Sequence, residues 1–226
     1  MNESSRTARS TVKRLPQRAV YDLAAIHAIL DEGLVCHVGF SCDERPFVIP
    51  TIYVRVGEQV YLHGSPASRM LQTLANGAEA SIAVTLVDGL VLARSAFHHS
   101  INYRSVVLFG RGSPIEDDSQ KLSVLQALTD HIMPGRWTDV RMPSSDELRR
   151  TLVVAVPIEE ASAKVRVGPP LDDEPDYDLP AWAGVLPLRL TASVPVADPR
   201  LAAGIIPPQY LADYTGPRPA APRAGG

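Results

Sequence analysis

Residues 91–114 place a dense patch of polar side chains between two apolar runs, and this feature constrains the fold more than any other. The adjacent histidines His98 and His99 begin the patch, and the apolar run 106–109 follows it. Apolar runs of this length predict two β-strands that hold hydrogen-bonding groups at a ligand. The other polar residues of the patch are Ser100, Asn102, Tyr103, Arg104 and Ser105.

A second polar stretch, HGSPASRM at residues 63–70, lies between a strand pattern and a helix pattern. Ser65 is a suitable N-cap, and Pro66 would then occupy the first helical position. Two hydroxyls, of Ser65 and Ser68, and the guanidinium of Arg69 could bind a phosphate there. The alternative is an ordinary helix cap with a surface arginine. We interpret the two polar stretches as two halves of one anion-binding site.

Short apolar runs separated by turn residues dominate the chain, which predicts a mainly β fold. The dipeptide Asp88-Gly89 predicts a hairpin between two of these runs. Helical periodicity is confined to short segments, at 21–30 with Gly33 as C-cap, 65–75, 121–132 and 144–150. The expected fold is therefore a small antiparallel barrel with peripheral helices. The predicted strands are 34–40, 47–54, 59–63, 80–87, 90–96, 104–112, 151–158 and 161–167.

The composition divides the chain into three parts. Residues 1–18 are expected to form a disordered lead-in, and residues 19–168 a single domain. The composition of residues 169–226 predicts an extended proline-rich arm whose end, 215–226, is disordered. The arm carries Trp182 and one possible further strand in 182–196, so we expect it to pack on its own domain or on a second subunit.

Charge and hydropathy exclude several classes of protein. The 226 residues carry a formal net charge of −3, which does not favour nucleic-acid binding. The sequence has neither an apolar run long enough to span a membrane nor a secretory signal, so a cytoplasmic location is expected. Cys36 and Cys42 are expected to be unpaired thiols in a reducing compartment.

Metal and hydrolase chemistry are not expected from the motifs. His98 and His99 are adjacent, and adjacent strand residues face opposite sides, so one ion would seldom bind both. His63 is expected to be a hydrogen-bonded histidine of the barrel. The segment GSPAS does not fit a nucleophile elbow, and the glycine fingerprints of nucleotide-binding loops are absent from the sequence.

Three segments in their order resemble the pyridoxamine 5′-phosphate oxidase-like, FMN-binding split-barrel superfamily, and most closely its nitroimidazole-resistance (Nim-type) flavoprotein branch. These segments are FVIPTIY at 47–53, VYLHGSPASRMLQTL at 60–74 and SAFHHSINYRSVVLFGR at 95–111. The resemblance covers about residues 16–168. It implies a six-stranded antiparallel split barrel and a homodimer with two FMN sites at the subunit interface.

The resemblance also assigns positions around the flavin. Pro50, Thr51 and Ile52 match the strand beneath the isoalloxazine ring. The turn that meets the flavin phosphate and ribityl chain corresponds to His63, Gly64, Ser65, Ser68 and Arg69. Asn102, Tyr103, Arg104 and Ser105 match a strand that approaches from the other side of the dimer, and Tyr103 and His99 are the candidate catalytic residues.

The substrate-binding motifs of true pyridoxamine-phosphate oxidases are not evident. Strand 47–53 lacks both basic residues of the R-x-x-x-x-K pattern, and only Lys164, Arg166 and the distant Trp182 stand near the place of the C-terminal Arg/Trp cluster. The resemblance therefore implies an FMN-dependent oxidoreductase that passes electrons from a reduced nicotinamide or similar donor to a small organic acceptor, with nitroreduction as one possibility. The alternatives are a non-catalytic flavin carrier or sensor, a haem- or deazaflavin-binding relative, and a plain interaction domain.

Overall fold

Two antiparallel sheets enclose one apolar core in the computed structural model, which describes Ser4 and residues 6–217. The strands within this part are β1 (Ala19–Val20), β2 (Val35–Cys42), β3 (Arg45–Ile52), β4 (Val54–Val56), β5 (Gln59–Gly64), β6 (Glu79–Leu92), β7 (Ser100–Arg111), β8 (Ser113–Pro114), β9 (Leu152–Pro157), β10 (Glu160–Arg166) and β11 (Gly184–Pro187). The helices are α1 (Leu23–Glu32), α2 (Arg69–Ala75), α3 (Asp118–Ile132), α4 (Ser145–Arg149) and α5 (Gln209–Ala212).

The larger sheet has the strand order β1-β10-β7-β6-β2-β3, and β11 pairs with the far end of β6. The smaller sheet has the order β4-β5-β9-β8. Apolar side chains from both sheets and from α1 and α2 pack into one core. The predicted mainly β architecture, an antiparallel split barrel with short helices, is confirmed.

Alternation along β2 shows how the sequence specifies the inner face of the barrel. Cys36 and Val38 are fully buried, whereas His37 between them is exposed. Successive strand residues point to opposite faces, so the apolar residues face the core and His37 faces outward. Helix α1 ends at Gly33 as predicted, and the amide of Gly33 donates to the carbonyl of Ile29 at 3.1 Å.

The predicted hairpin at Asp88-Gly89 is wrong. Strand β6 runs through both residues and pairs with β7 on either side of a register shift between Val87 and Gly89. The extra residue forms a β-bulge, and the side chain of Asp88 binds the guanidinium of Arg104 on β7. Asp88 thus forms its ion pair within the β6–β7 ladder, and the chain reverses later, at residues 93–99.

The N-terminal segment contacts the barrel over a long separation in sequence. The hydroxyl of Ser4 is buried and donates to the carbonyl of Ala161 at 2.6 Å, and Arg9 forms ion pairs with Glu160 and Glu79. The sequence interpretation of residues 1–18 as disordered did not anticipate these contacts, because their partners lie on distant strands.

The C-terminal arm returns to the large sheet. Its strand β11 pairs with β6 from Gly184↔Leu92 to Pro187↔Gly89, which confirms the further strand predicted in 182–196. The carboxylate of Asp172 has no exposed surface and binds the side chain of Arg94 at 3.2 Å. Disorder was predicted for 215–226. Of these residues, 215–217 are described, and the carbonyl of Thr215 accepts from the amide of Ala192 at 3.2 Å, while 218–226 lie outside the described residues. Within the described residues, the helices are all too short or too polar to cross a membrane.

Candidate functional site

The turn between β5 and α2 differs in detail from its sequence prediction. Helix α2 begins at Arg69, and Ser68 is its N-cap, since the Ser68 hydroxyl accepts from the amide of Leu71 at 3.4 Å. Ser65 instead begins a turn in which its carbonyl accepts from the amide of Ser68 at 2.9 Å. The hydroxyl of Ser65 accepts from the amide of Ala67 at 3.2 Å, so Ser65 and Pro66 belong to the turn that precedes the helix.

Arg69 links this turn to strand β3. Its guanidinium lies over the ring of Phe47 with 4.9 Å to the ring centroid, and Arg69 is exposed. Among the described residues Arg69 has no carboxylate partner, so its positive charge is available to an anion. The same strand carries Pro50, Thr51 and Ile52, with Pro50 and Ile52 on the exposed face. Alternation places Thr51 on the same face of β3 as Phe47, so the structure brings Arg69 to the face of β3 that carries Thr51 and not to the face that carries Pro50 and Ile52.

His63 occupies a drier position than the sequence indicated. It pairs in register with Val153, and its Nδ1 is buried with no hydrogen-bond partner among the described residues. Burial lowers the pKa of His63 below its usual value. The expectation of a hydrogen-bonded barrel histidine is thus wrong for this nitrogen. The next residue, Gly64, packs closely against α2, because a Cβ added at Gly64 would lie 3.1 Å from the Leu71 side chain.

The 102–105 segment is engaged in internal contacts. Arg104 binds Glu32 and Asp88, and these two carboxylates raise its pKa. Asn102 is buried and bonds to Arg166 and to the carbonyl of Gly168. The hydroxyl of Ser105 donates to the carbonyl of Lys164 at 3.4 Å. Arg104 therefore already has its counter-charges, and the structure gives it a structural role that the sequence did not indicate.

The two polar stretches lie on different elements of the fold. Residues 63–70 end β5 of the smaller sheet and begin α2, whereas residues 100–105 lie on β7 of the larger sheet. The interpretation of the two stretches as halves of one site stays a prediction. The family resemblance implies that such a site would combine two copies of the chain.

The candidate catalytic residues lie near the start of β7. His99 is exposed and its Nδ1 lies 2.9 Å from the carbonyl oxygen of Ser95, while Tyr103 is half-buried opposite Arg166. His98 pairs with Asp173 of the arm at 3.3 Å. Ligand atoms of His98, Asp173 and Asp176 lie within 4.8 Å of one another, an exposed group of a kind common on protein surfaces.

A large open cavity lies between the barrel and the C-terminal arm. It has a volume of about 920 Å³, and its lining includes His37 on β2, Asp88 and Arg104 at the bulge, and Arg189 on the arm. Glu32 contributes at the end of α1. The sequence analysis missed His37, Glu32 and Arg189. The alternation CHVGF indicates the outward direction of His37, but nothing local in the sequence identifies the other two.

A family model described as pyridoxamine 5′-phosphate oxidase matches residues 22–165. The chain belongs to this family. The match spans α1 to β10 and thus includes the strand and turn that hold Arg69 and Phe47. Comparison with curated proteins found no match.

Solved structures extend the similarity beyond the barrel. The flavocytochrome Anf3 from Azotobacter vinelandii is 41% identical, with a TM-score of 0.86 over 92% of this chain and 97% of that chain. The FAD and haem binding protein from Mycobacterium smegmatis is 36% identical, with a TM-score of 0.84 over 88% of this chain and 98% of that chain. A candidate 5-nitroimidazole antibiotic resistance protein from Bacteroides thetaiotaomicron is 25% identical, with a TM-score of 0.50 over 65% of this chain and 86% of that chain.

Proposed function

We propose that this family member is an oxidoreductase that binds both a flavin and a haem. The observation that carries the proposal is the extent of its similarity to two structures named for those groups. Coverage of 92% and 88% of the chain requires that the similarity extends past residue 165, where the family model ends. The similarity therefore extends into the arm that forms one wall of the cavity, and this extent supports the proposal.

The flavin has a suitable binding surface on this chain. Arg69 offers an unpaired guanidinium beside β3, and guanidinium groups bind phosphate oxygens in a bidentate manner. Thr51 lies on the same face of β3 as Phe47, which is the face that Arg69 covers, so a flavin bound by Arg69 would meet Thr51. We propose FAD as the native flavin because the Mycobacterium smegmatis relative is named for it. FMN, the flavin implied by the sequence resemblance, is the competing assignment.

The proposed chemistry is electron transfer. When bound, the flavin would exchange electron pairs with a reduced nicotinamide or similar donor, and the haem would exchange single electrons with a small acceptor. The chain itself would bind the flavin phosphates through Arg69 and keep Arg104 neutralised at the cavity edge. No general acid is required of Tyr103 or His99, because positioning can suffice for hydride transfer.

We also propose that the protein is a homodimer formed through the outer face of the large sheet. Gly39 on β2 is in register with Val48 on β3 and with Ser81 on β6. This face therefore combines two small residues, Gly39 and Ser81, with Val48, which is 68% exposed. A second sheet can pack closely on such a face. A Val48→Asp variant should be monomeric by light scattering, whereas an equal mass for variant and parent would contradict this interface.

Anaerobic reduction tests the proposed function. The purified protein is mixed with NADH or NADPH while the flavin and haem absorption bands are followed. Reduction of the flavin band followed by that of the haem band supports the proposal. A flavin that is never reduced by either nucleotide would favour the carrier or sensor alternative. A protein with flavin but no haem, even after addition of hemin, would contradict the two-cofactor proposal.

A further inference from the structure

The cavity between the barrel and the arm has the size of a cofactor site. Its volume of about 920 Å³ falls within the range of 300–1,000 Å³ that is typical of ligand and cofactor pockets. The barrel supplies one wall through Val35, His37 and Val87, and the arm supplies the opposite wall through Leu188, Arg189 and Leu190. Apolar side chains thus form a large part of both walls. The polar residues that line the cavity besides His37 and Arg189 are Glu32, Thr85, Asp88, Arg104, Thr191 and Thr215.

His37 differs from the other histidines of the chain, all of which are described. Its ring is exposed to the cavity and makes no hydrogen bond or ion pair with any described residue. His27 Nε2 lies 3.2 Å from the carboxylate of Glu58, and each of the others has one ring nitrogen that is buried or in contact with a backbone carbonyl or a carboxylate. These others are His63, His98, His99 and His131. A free imidazole on the wall of an apolar cavity is well suited to bind a metal.

Arg189 provides a positive charge that the cavity offers to a ligand. It is exposed, it lines the same cavity, and it has no carboxylate partner within residues 6–217. Arg104 also lines the cavity, but Glu32 and Asp88 already neutralise it. The cavity thus combines apolar walls, one free imidazole and one free guanidinium. A haem presents the matching chemistry: an apolar macrocycle, an iron and two carboxylates.

The distribution of the similarity supports the same cavity. The family model ends at residue 165, before the arm begins, whereas the two relatives named for a cytochrome or haem extend into the arm. Arg189 and its wall belong to this additional part. A cavity that exists only where arm and barrel meet is thus a site that the barrel alone lacks.

We propose that His37 is an axial ligand of the haem iron and that Arg189 pairs with a haem carboxylate in this cavity. The assignment rests on the proposed function, since it requires that the protein binds haem. It goes further by naming the site and two residues that hold the group. Histidine is a common axial ligand of haem iron.

Hemin titration of the full chain tests the assignment, followed by the haem absorption band and with flavin content as an internal control. His37→Ala should weaken hemin binding at least about tenfold and shift the haem band, and added imidazole should restore the band. His37→Met should keep a ligand on the iron but shift the band and raise the reduction potential. Arg189→Ala should weaken binding about tenfold with an unshifted band, because the iron ligand is intact. His27→Ala, whose imidazole lies outside the cavity, should behave as the parent.

The outcomes separate this inference from the proposed function. A parent protein that binds no hemin would overturn both. If the parent binds hemin, and both His37→Ala and His37→Met bind it with the parent's affinity and the parent's band position, only the assignment of His37 is overturned. An unchanged affinity in Arg189→Ala would overturn only the carboxylate pairing.

Discussion

The guanidinium of Arg104 donates two hydrogen bonds to the carboxylate of Glu32, at 2.5 Å and 2.8 Å. This pair joins the end of α1 to β7 across 72 residues of sequence. The same guanidinium binds Asp88 at the bulge of β6. Arg104 therefore ties three elements together at the edge of the cavity, and two negative charges surround its positive one.

Removal of this guanidinium should reduce stability. Arg104→Ala leaves the carboxylates of Glu32 and Asp88 without their donor, so the free energy of unfolding in urea should fall by about 1–3 kcal/mol. Arg104→Lys should give an intermediate loss, because it keeps the charge but not the two-pronged geometry. The control is Arg111→Ala, an exposed arginine on the same strand, which should change stability by less than about 0.5 kcal/mol.

The flavin content of Arg104→Ala distinguishes the structural role from the anion-binding role expected from the sequence. The structural role predicts flavin content close to that of the parent at temperatures where the variant is folded. Unchanged stability together with lost flavin would support the anion-binding role instead.

The burial of His63 should make stability depend on pH. Its pKa is lowered in the folded protein, so the unfolded chain binds a proton below about pH 6.5 that the folded protein does not. This contribution favours the folded state fully above that pH and is lost as the pH falls below it. The urea midpoint should therefore drop between about pH 7.5 and about pH 5.5, and the drop should be smaller in His63→Gln. An identical drop in both proteins would assign the pH dependence to other groups.

The two cysteines should differ in reactivity. Burial raises the pKa of the Cys36 thiol to about 12, and its side chain is fully buried, whereas Cys42 is partly exposed. Native protein treated with iodoacetamide should gain a single adduct at Cys42, and both thiols should react in urea. The variant Cys42→Ser should gain none in its native state. Alkylation of Cys36 in that native variant would contradict the burial of the strand.

Asp172 should hold the arm against the barrel. Burial alone raises the pKa of its carboxyl, but hydrogen bonds from Arg94 and Ser95 outweigh that effect and leave the pKa below its usual value. Asp172→Ala should therefore speed amide hydrogen exchange in β11 and in the residues that precede it. Asp178→Ala, at an exposed carboxylate of the same arm, is the matched control. Equal exchange in the two variants would show that Asp172 does not anchor the arm.

Local patterns predicted most of the fold because they report burial directly. The apolar run 34–40 predicted the strand that carries Cys36 and Val38 into the core, and the apolar run 182–196 predicted the strand in the arm. The prediction failed at Asp88-Gly89, where a strong turn preference lost to an ion pair with Arg104. That partner is 16 residues away, so the dipeptide alone could not reveal it.

The candidate site was less predictable, because charge partners lie far apart in sequence. The polar clusters indicated Arg69 and Arg104 alike as anion-binding candidates, but Arg104 binds Glu32 and Asp88, whereas Arg69 has no carboxylate partner among the described residues. His37 lies in no recognisable motif, and its place in a cavity wall arises only because the arm packs opposite β2. Packing of distant segments, which no local pattern encodes, created the cavity.

The absorption spectrum of the purified full-length protein, before and after chemical reduction, tests the central claim most directly. We expect flavin bands together with a haem band that sharpens and shifts on reduction, and extraction should release FAD. A protein that shows neither band, and that takes up neither FAD nor hemin when they are added, would contradict the account.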